Sequence, residues 1–233
     1  HWWVPTALVF VAVSTVIAWW VAVTPAVQAS IAAPEEIRQL IEHDFEDYYS
    51  ANPAASFAAQ VWTNNAWVAA GTLMLGVFLG LPVLYILFTN AANVAVAAGL
   101  MAAHGRLEIF LGLITPHGLL ELTAVFVAAG TGLRLGWTVI DPGPRSRGTA
   151  LAEQGRVAVG MAIGLTGVLL VSGVIEAFVT PSGLPTWARI AIGVATEVAF
   201  LAYVWVYGRR AAEAGETGDL ASADRGDELP VSA

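Results

Sequence analysis

Along the chain, apolar residues run for about 20 positions at a time with few charges between them, the length that crosses a hydrocarbon core as a helix. The first run, Trp2 to Val23, has Trp2, Trp3, Trp19 and Trp20 near its ends as aromatic anchors. Pro5 falls in its opening turn, where a missing N–H costs little, and Thr24-Pro25 closes it. Residues 67–105 hold two more crossings. Either Pro82 kinks a long helix ending near Asn90, or the chain turns near Gly80; both give the same topology. Leu107 to Thr138, about 32 residues, is too long for one upright span at 1.5 Å per residue. Thr115-Pro116-His117-Gly118 sets two helix breakers inside it, which predicts a half-helix, a break at Pro116-His117-Gly118 and a full span from Leu119. Val157–Val179 and Trp187–Tyr207 bring the expected count to about six spans plus the half-helix. The fold class is all-α, a polytopic membrane protein.

One segment between spans has a different rhythm. Pro34 suits the first helical position, and Glu35 and Glu36 suit the positive end of a helix dipole. Ile37, Ile41, Phe45 and Tyr48 then recur at helical spacing opposite Glu36, Arg38, Glu42 and Asp47, which predicts an amphipathic helix over 34–50. Interfacial helices that bind anionic lipid carry Lys and Arg on the polar face, whereas this face is acidic. Its apolar stripe is expected to pack on the protein's own bundle or to dock another protein, with Ile37, Ile41, Phe45 and Tyr48 as the docking residues.

Composition agrees with a membrane protein: 57% of the 233 residues are hydrophobic and 12% charged, more apolar surface than a soluble domain of this size can hide. All ten basic residues are Arg. Of the 18 acids, one group lies within 35–47 and another within 213–228, so the net charge of −8 belongs to two wet segments. No basic surface suggests nucleic acid. The absence of Cys removes disulfides and thiolate chemistry. Arg134, Arg145, Arg147 and Arg156 surround the 141–155 loop, and Arg209 and Arg210 follow the last span, whereas the alternate loops 24–62 and 180–186 hold only Arg38. By the positive-inside rule both ends are expected in the cytoplasm and the acidic helix outside. The expected organisation is one transmembrane domain over 1–210 and an acidic, disordered cytoplasmic tail over 211–233. Trp2–Val23 is too long for a signal peptide and lacks a small-residue cleavage site, and residues upstream of His1 are expected.

Ionisable groups at bilayer depth cost about 2.5–3.5 kcal/mol on insertion scales, which makes each one a functional candidate. His117 and Glu121 share a helix face just after Pro116 and Gly118. Their functional readings are a proton relay, a metal site or the lining of a polar path; the structural one is a hydrogen bond that ties helices together. His104 and Glu108 repeat the spacing across Gly105, and with His117 and Glu121 they make a weak four-residue metal candidate. Glu176 interrupts an apolar run close to Pro181, a position expected near the outer headgroups, and Glu197 and Arg189 sit within the last span or at its edge. Asn64, Asn65, Asn90 and Asn93 complete the polar set and suit interhelical hydrogen bonding. Gly71, Gly76, Gly80, Gly99, Gly155, Gly160 and Gly164 are spaced for close helix packing. No HExxH and no phosphate-cradling glycine loop is present, and no cofactor is expected.

Four stretches together resemble the stage II sporulation protein M family. They are Phe57–Gly71 with its Asn64-Asn65 pair, Leu87-Phe88-Thr89-Asn90, Ile114–Leu122 continuing to Gly136, and Ile175–Pro181. The third is the most specific, with Pro116, His117, Gly118 and Glu121 in fixed order; Thr115 departs from the aliphatic residue usual there. The resemblance implies an all-helical protein of the bacterial cytoplasmic membrane. In endospore formers the namesake works with two peptidoglycan-degrading partners, which implies a non-enzymatic scaffold for cell-envelope proteins. A small-solute or ion transporter using the 107–138 segment, and an intramembrane metal-dependent hydrolase, are the other readings. Expected partners are the lipid bilayer and envelope proteins, not nucleic acid, and a homo-oligomer stays open.

Overall fold

The computed structural model describes residues 2–49 and 53–219. Nine α-helices follow one another without a strand among the described residues: α1 Trp3–Val23, α2 Pro25–Ile31, α3 Pro34–Gln39, α4 Phe45–Asp47, α5 Ala54–Leu75, α6 Leu81–Ala103, α7 Leu107–Ile140, α8 Arg147–Val174 and α9 Thr186–Glu213. Two π-helical turns join them, Leu40–Asp44 between α3 and α4, and Ile175–Val179 continuing α8. Five of the long helices (α1, α6, α7, α8 with its π turn, and α9) are long and apolar enough to cross a membrane. The sixth, α5, has the length but is less apolar, since Gln60, Asn64 and Asn65 lie on it. It nevertheless runs the height of the bundle. Phe57 at its start packs with Leu113 and Ala177, and Gly76 at its end meets Gly132.

The turn between α5 and α6 resolves the ambiguity around Pro82. Gly80 takes φ 73°, a left-handed conformation that glycine adopts without strain, and Pro82 then sits in the first turn of α6 rather than inside a longer helix. Two starts come earlier than the hydropathy suggests. α5 begins at Ala54, and α8 at Arg147, where the Ser146 hydroxyl accepts the Thr149 N–H at 3.2 Å. After Thr24, Pro25 opens the short helix α2, which the hydropathy pattern does not announce.

α7 is the hub, touching α1, α5, α6, α8 and α9. Its glycines let the backbones approach. A methyl group on Gly132 would stand 2.6 Å from the Thr72 carbonyl oxygen, and one on Gly136 would stand 2.6 Å from that of Gly76. Gly76 and Gly99 do the close-packing work expected of them. Gly71, Gly155, Gly160 and Gly164 do not, because nothing lies within 4 Å of where a side chain would begin.

The expected break at Pro116-His117-Gly118 is absent: α7 is one helix of 34 residues. Proline removes a single intrahelical bond, and its ring costs about 3 kcal/mol in a helix interior. Packing compensates here, because Pro116 is fully buried and α9 presses on it where Gly193 leaves room. At 1.5 Å per residue α7 is about 51 Å long, more than a hydrocarbon core of about 30 Å requires.

The acidic segment forms α3, the first π turn and α4, an arm laid on the bundle. Glu36 accepts the Ala33 N–H at 3.2 Å and starts it. Ile37 and Ile41 turn inward to join Val21, Leu100, Met101 and Phe110 in a buried cluster. Phe45 stacks on Phe110 at 5.6 Å, and Arg106 donates to the Ile41 carbonyl at 3.1 Å. Docking of another protein through Ile37, Ile41 and Phe45 is thereby corrected: the protein's own helices occupy that stripe. Only Tyr48 of the four remains mostly exposed, at 54%. At the other end of the chain α9 continues into the acidic tail as far as Glu213, and Asp219 receives two bonds from the Arg156 guanidinium, at 2.5 and 3.1 Å. Residues 220–233 of the expected tail lie outside the described residues.

Candidate functional site

The polar residues of α7 meet those at the end of α8. His117 and Glu121 lie one helical turn apart on α7, and both side chains point into the bundle. Glu176, in the π turn Ile175–Val179, reaches the same place. An extra residue in a helical turn rotates the side chains after it, and such turns often mark functional sites. Ligand-type atoms of His117, Glu121 and Glu176 all lie within 4.8 Å of one another. His117 and Glu176 are each 5% exposed, and Glu121 is partly buried.

Neutral groups hold this cluster in place. His117 Nδ1 is hydrogen-bonded to Thr180 Oγ1 at 3.2 Å, and the Ser172 hydroxyl donates to the His117 carbonyl at 3.1 Å. Asn65 of α5 and Ser172 of α8 are within hydrogen-bonding reach of the Glu121 carboxyl. Thr180 is itself fixed, because Arg189 of α9 donates to its carbonyl at 2.6 Å. Tyr49, at the end of the arm, covers His117 with ring centroids 5.9 Å apart. Burial raises the Tyr49 phenol above its ordinary range.

The other candidates fall elsewhere. Asn64 and Asn93 are exposed, and Asn90 donates to the Ile86 carbonyl of its own helix at 2.8 Å. His104 and Glu108 are exposed at the α6–α7 turn, with His104 Nδ1 2.9 Å from the Leu100 carbonyl. They do not join His117 and Glu121, so the four-residue metal set is corrected to His117, Glu121 and Glu176. Pro116 and Gly118 are buried within a continuous helix and not at a break, Pro116 packing against α9 at Gly193. Glu176 is buried inside the protein. A separate, half-buried carboxyl pairs α9 with α7: Glu197 Oε1 accepts from Thr123 Oγ1 at 2.8 Å, while the buried Oε2 has no hydrogen-bond partner.

Ser172, Thr180 and Tyr49 had no sequence signal of their own. The first two sit four residues to either side of Glu176, a helical spacing that marks one face once the carboxyl is known to point inward.

The family model described as stage II sporulation protein M matches residues 7–181. The chain belongs to that family. The match includes every residue of the cluster, from Tyr49 and Asn65 to Thr180. No curated protein and no solved structure matches the chain. This is therefore a helical membrane protein of the stage II sporulation protein M family, and its buried polar cluster lies in the family's own region.

Proposed function

We propose that this chain is a non-enzymatic scaffold of the bacterial cytoplasmic membrane that positions cell-envelope partners, peptidoglycan-degrading enzymes among them. Family membership supports the reading, and one observation carries it. The arm from Pro34 to Tyr49 is fixed to the bundle by its apolar side, so Glu35, Glu36, Glu42 and Asp44 form an exposed acidic face on a rigid base. A partner would meet that face and not the apolar stripe. In this reading α5 completes six crossings, both ends are cytoplasmic and the arm is outside, as the Arg distribution requires. Residues 1–210 form one transmembrane domain, and 211–233 are a cytoplasmic tail. A transporter built on a broken helix loses its basis, because α7 is continuous.

The test is site-specific photocrosslinking in cells from positions 35, 42 and 44, with 37 and 41 as inward controls. The outward positions should give adducts with peptidoglycan-degrading enzymes, those from 35 and 44 disappearing with Glu42→Arg, while the inward ones crosslink to α1, α6 or α7. Adducts confined to the protein's own helices at all five positions would overturn the scaffold reading. So would solute flux through the purified protein in liposomes.

A further inference from the structure

Two carboxyl groups and one imidazole converge inside the bundle, on two successive helices, α7 and α8 with its π turn. We propose that His117, Glu121 and Glu176 bind one divalent transition-metal ion, with Zn2+ the ion that suits the donor set. The site stands whether or not the chain is a scaffold.

The geometry is the first argument. His117 Nε2 and Glu176 Oε1 are 3.9 Å apart, too far for a hydrogen bond. Two ligands at 2.0–2.2 Å from one zinc ion stand about 3.3–3.6 Å apart at the tetrahedral angle. The three ligand atoms, all within 4.8 Å of one another, need to close by roughly an ångström. Rotamer adjustments of two glutamates supply movements of that size.

The surroundings are the second argument. Metal-ligating histidines almost always donate their other ring N–H to a fixed acceptor. With Nδ1 donating to Thr180 Oγ1, Nε2 presents its lone pair toward Glu176. Thr180 is wholly buried and anchored by Arg189 through its carbonyl, so the acceptor does not move. Asn65 and Ser172 lie beside the Glu121 carboxyl.

Charge is the third. As ligands the two carboxyls are ionised and, beside a neutral imidazole, carry −2, which a divalent cation cancels; a buried charge without a partner is costly. The Arg189 guanidinium is close by, but it is directed at the Thr180 carbonyl and the Thr186 hydroxyl. Imidazole with carboxylates is a donor set for zinc and its first-row neighbours, and three protein ligands leave a further position for water. The ion would pin the middle of α7 to the end of α8 beneath Tyr49.

The experiment uses the full chain, purified in detergent, stripped with EDTA and titrated with ZnCl2 or CoCl2. The wild type should take up one ion per chain, and its cobalt form should show the visible bands of a four-coordinate site. Glu121→Gln and Glu176→Gln should each weaken binding at least tenfold, and His117→Ala should abolish it. Thr180→Val, which touches no ligand atom directly, should cost about 10–100-fold. Glu197→Gln, in the separate pair with Thr123, should leave binding unchanged. Circular dichroism and gel filtration check the fold; if His117→Ala does not fold, the near-isosteric Glu176→Gln decides. Zinc uptake that is equal in the wild type and Glu176→Gln, or absent from the wild type, overturns the proposal and leaves a carboxyl pair that shares protons.

Discussion

Ile41→Ala should release the arm without unfolding the bundle. Ile41 is 3% exposed, packed among Val21, Ile37, Leu100, Met101 and Phe110. Removing its outer carbons leaves a cavity that the neighbours fill only in part, and Ile→Ala changes at such sites cost about 2–5 kcal/mol. Most of that loss falls on the local equilibrium between seated and lifted arm, because the long helices keep their other contacts. At 1.4 kcal/mol per factor of ten, the lifted population rises roughly 30-fold at least. The Arg106 bond to the Ile41 carbonyl survives, since it uses the backbone. The chain has no cysteine, so a single Ile37→Cys reports on the seat directly. Its alkylation in detergent should accelerate by that factor when Ile41→Ala is added, and Glu42→Ala, on the exposed side, should not change it. If alkylation of Cys at 37 is already fast in the parent and unaffected by Ile41→Ala, the arm is not seated as described.

Three further outcomes follow from local packing. Gly193→Ala places a methyl group 2.5 Å from the Pro116 carbonyl and should destabilise by about 1–3 kcal/mol, whereas Gly164→Ala, with open space around it, should be neutral or slightly stabilising; thermal inactivation in detergent separates them. Thr123→Val removes the donor to Glu197 Oε1 and should cost about 1–3 kcal/mol, with Thr123→Ser restoring most of it in the same assay. The raised pKa of Tyr49 means the seated arm favours the neutral phenol, so its contribution is complete below the ordinary tyrosine value near 10 and is lost as pH rises through the higher folded value. Hydrogen exchange of the arm should therefore accelerate above about pH 10, and less so in Tyr49→Phe.

What the sequence made legible follows from which signals are local. Long apolar runs, an acidic amphipathic segment and the 117/121 spacing are each written within a turn or two of one helix, and each corresponds to a feature of the structure. The break in α7 is where a local rule fails. Pro116 and Gly118 are helix breakers by intrinsic preference, yet the cost of Pro116 is met by burial against α9, some 77 positions later, where Gly193 makes space. Propensity sees the proline and not its neighbour. The stripe of Ile37 and Ile41 shows the same asymmetry, since a pattern of apolar positions says that a face will be covered without saying by what.

Glu176 is the sharpest case. Counting residues from Pro181 places it at the outer edge of a span, where a carboxyl is unremarkable. The π turn at Ile175–Val179 begins here, and its extra residue swings the side chains that follow, Thr180 among them, by about 100° around the helix axis. No periodicity in the sequence announces that insertion. What could have announced it is the company Glu176 keeps: Ser172 and Thr180 lie four positions before and after it, in a run otherwise apolar from Gly173 to Val179. A helix end facing lipid gains nothing from three polar side chains in register. A helix end facing His117 and Glu121 uses all of them, Ser172 on the His117 carbonyl, Thr180 on the imidazole and Glu176 opposite Nε2. The register of weak polar groups around a single charged one therefore carries the information that the charge alone does not.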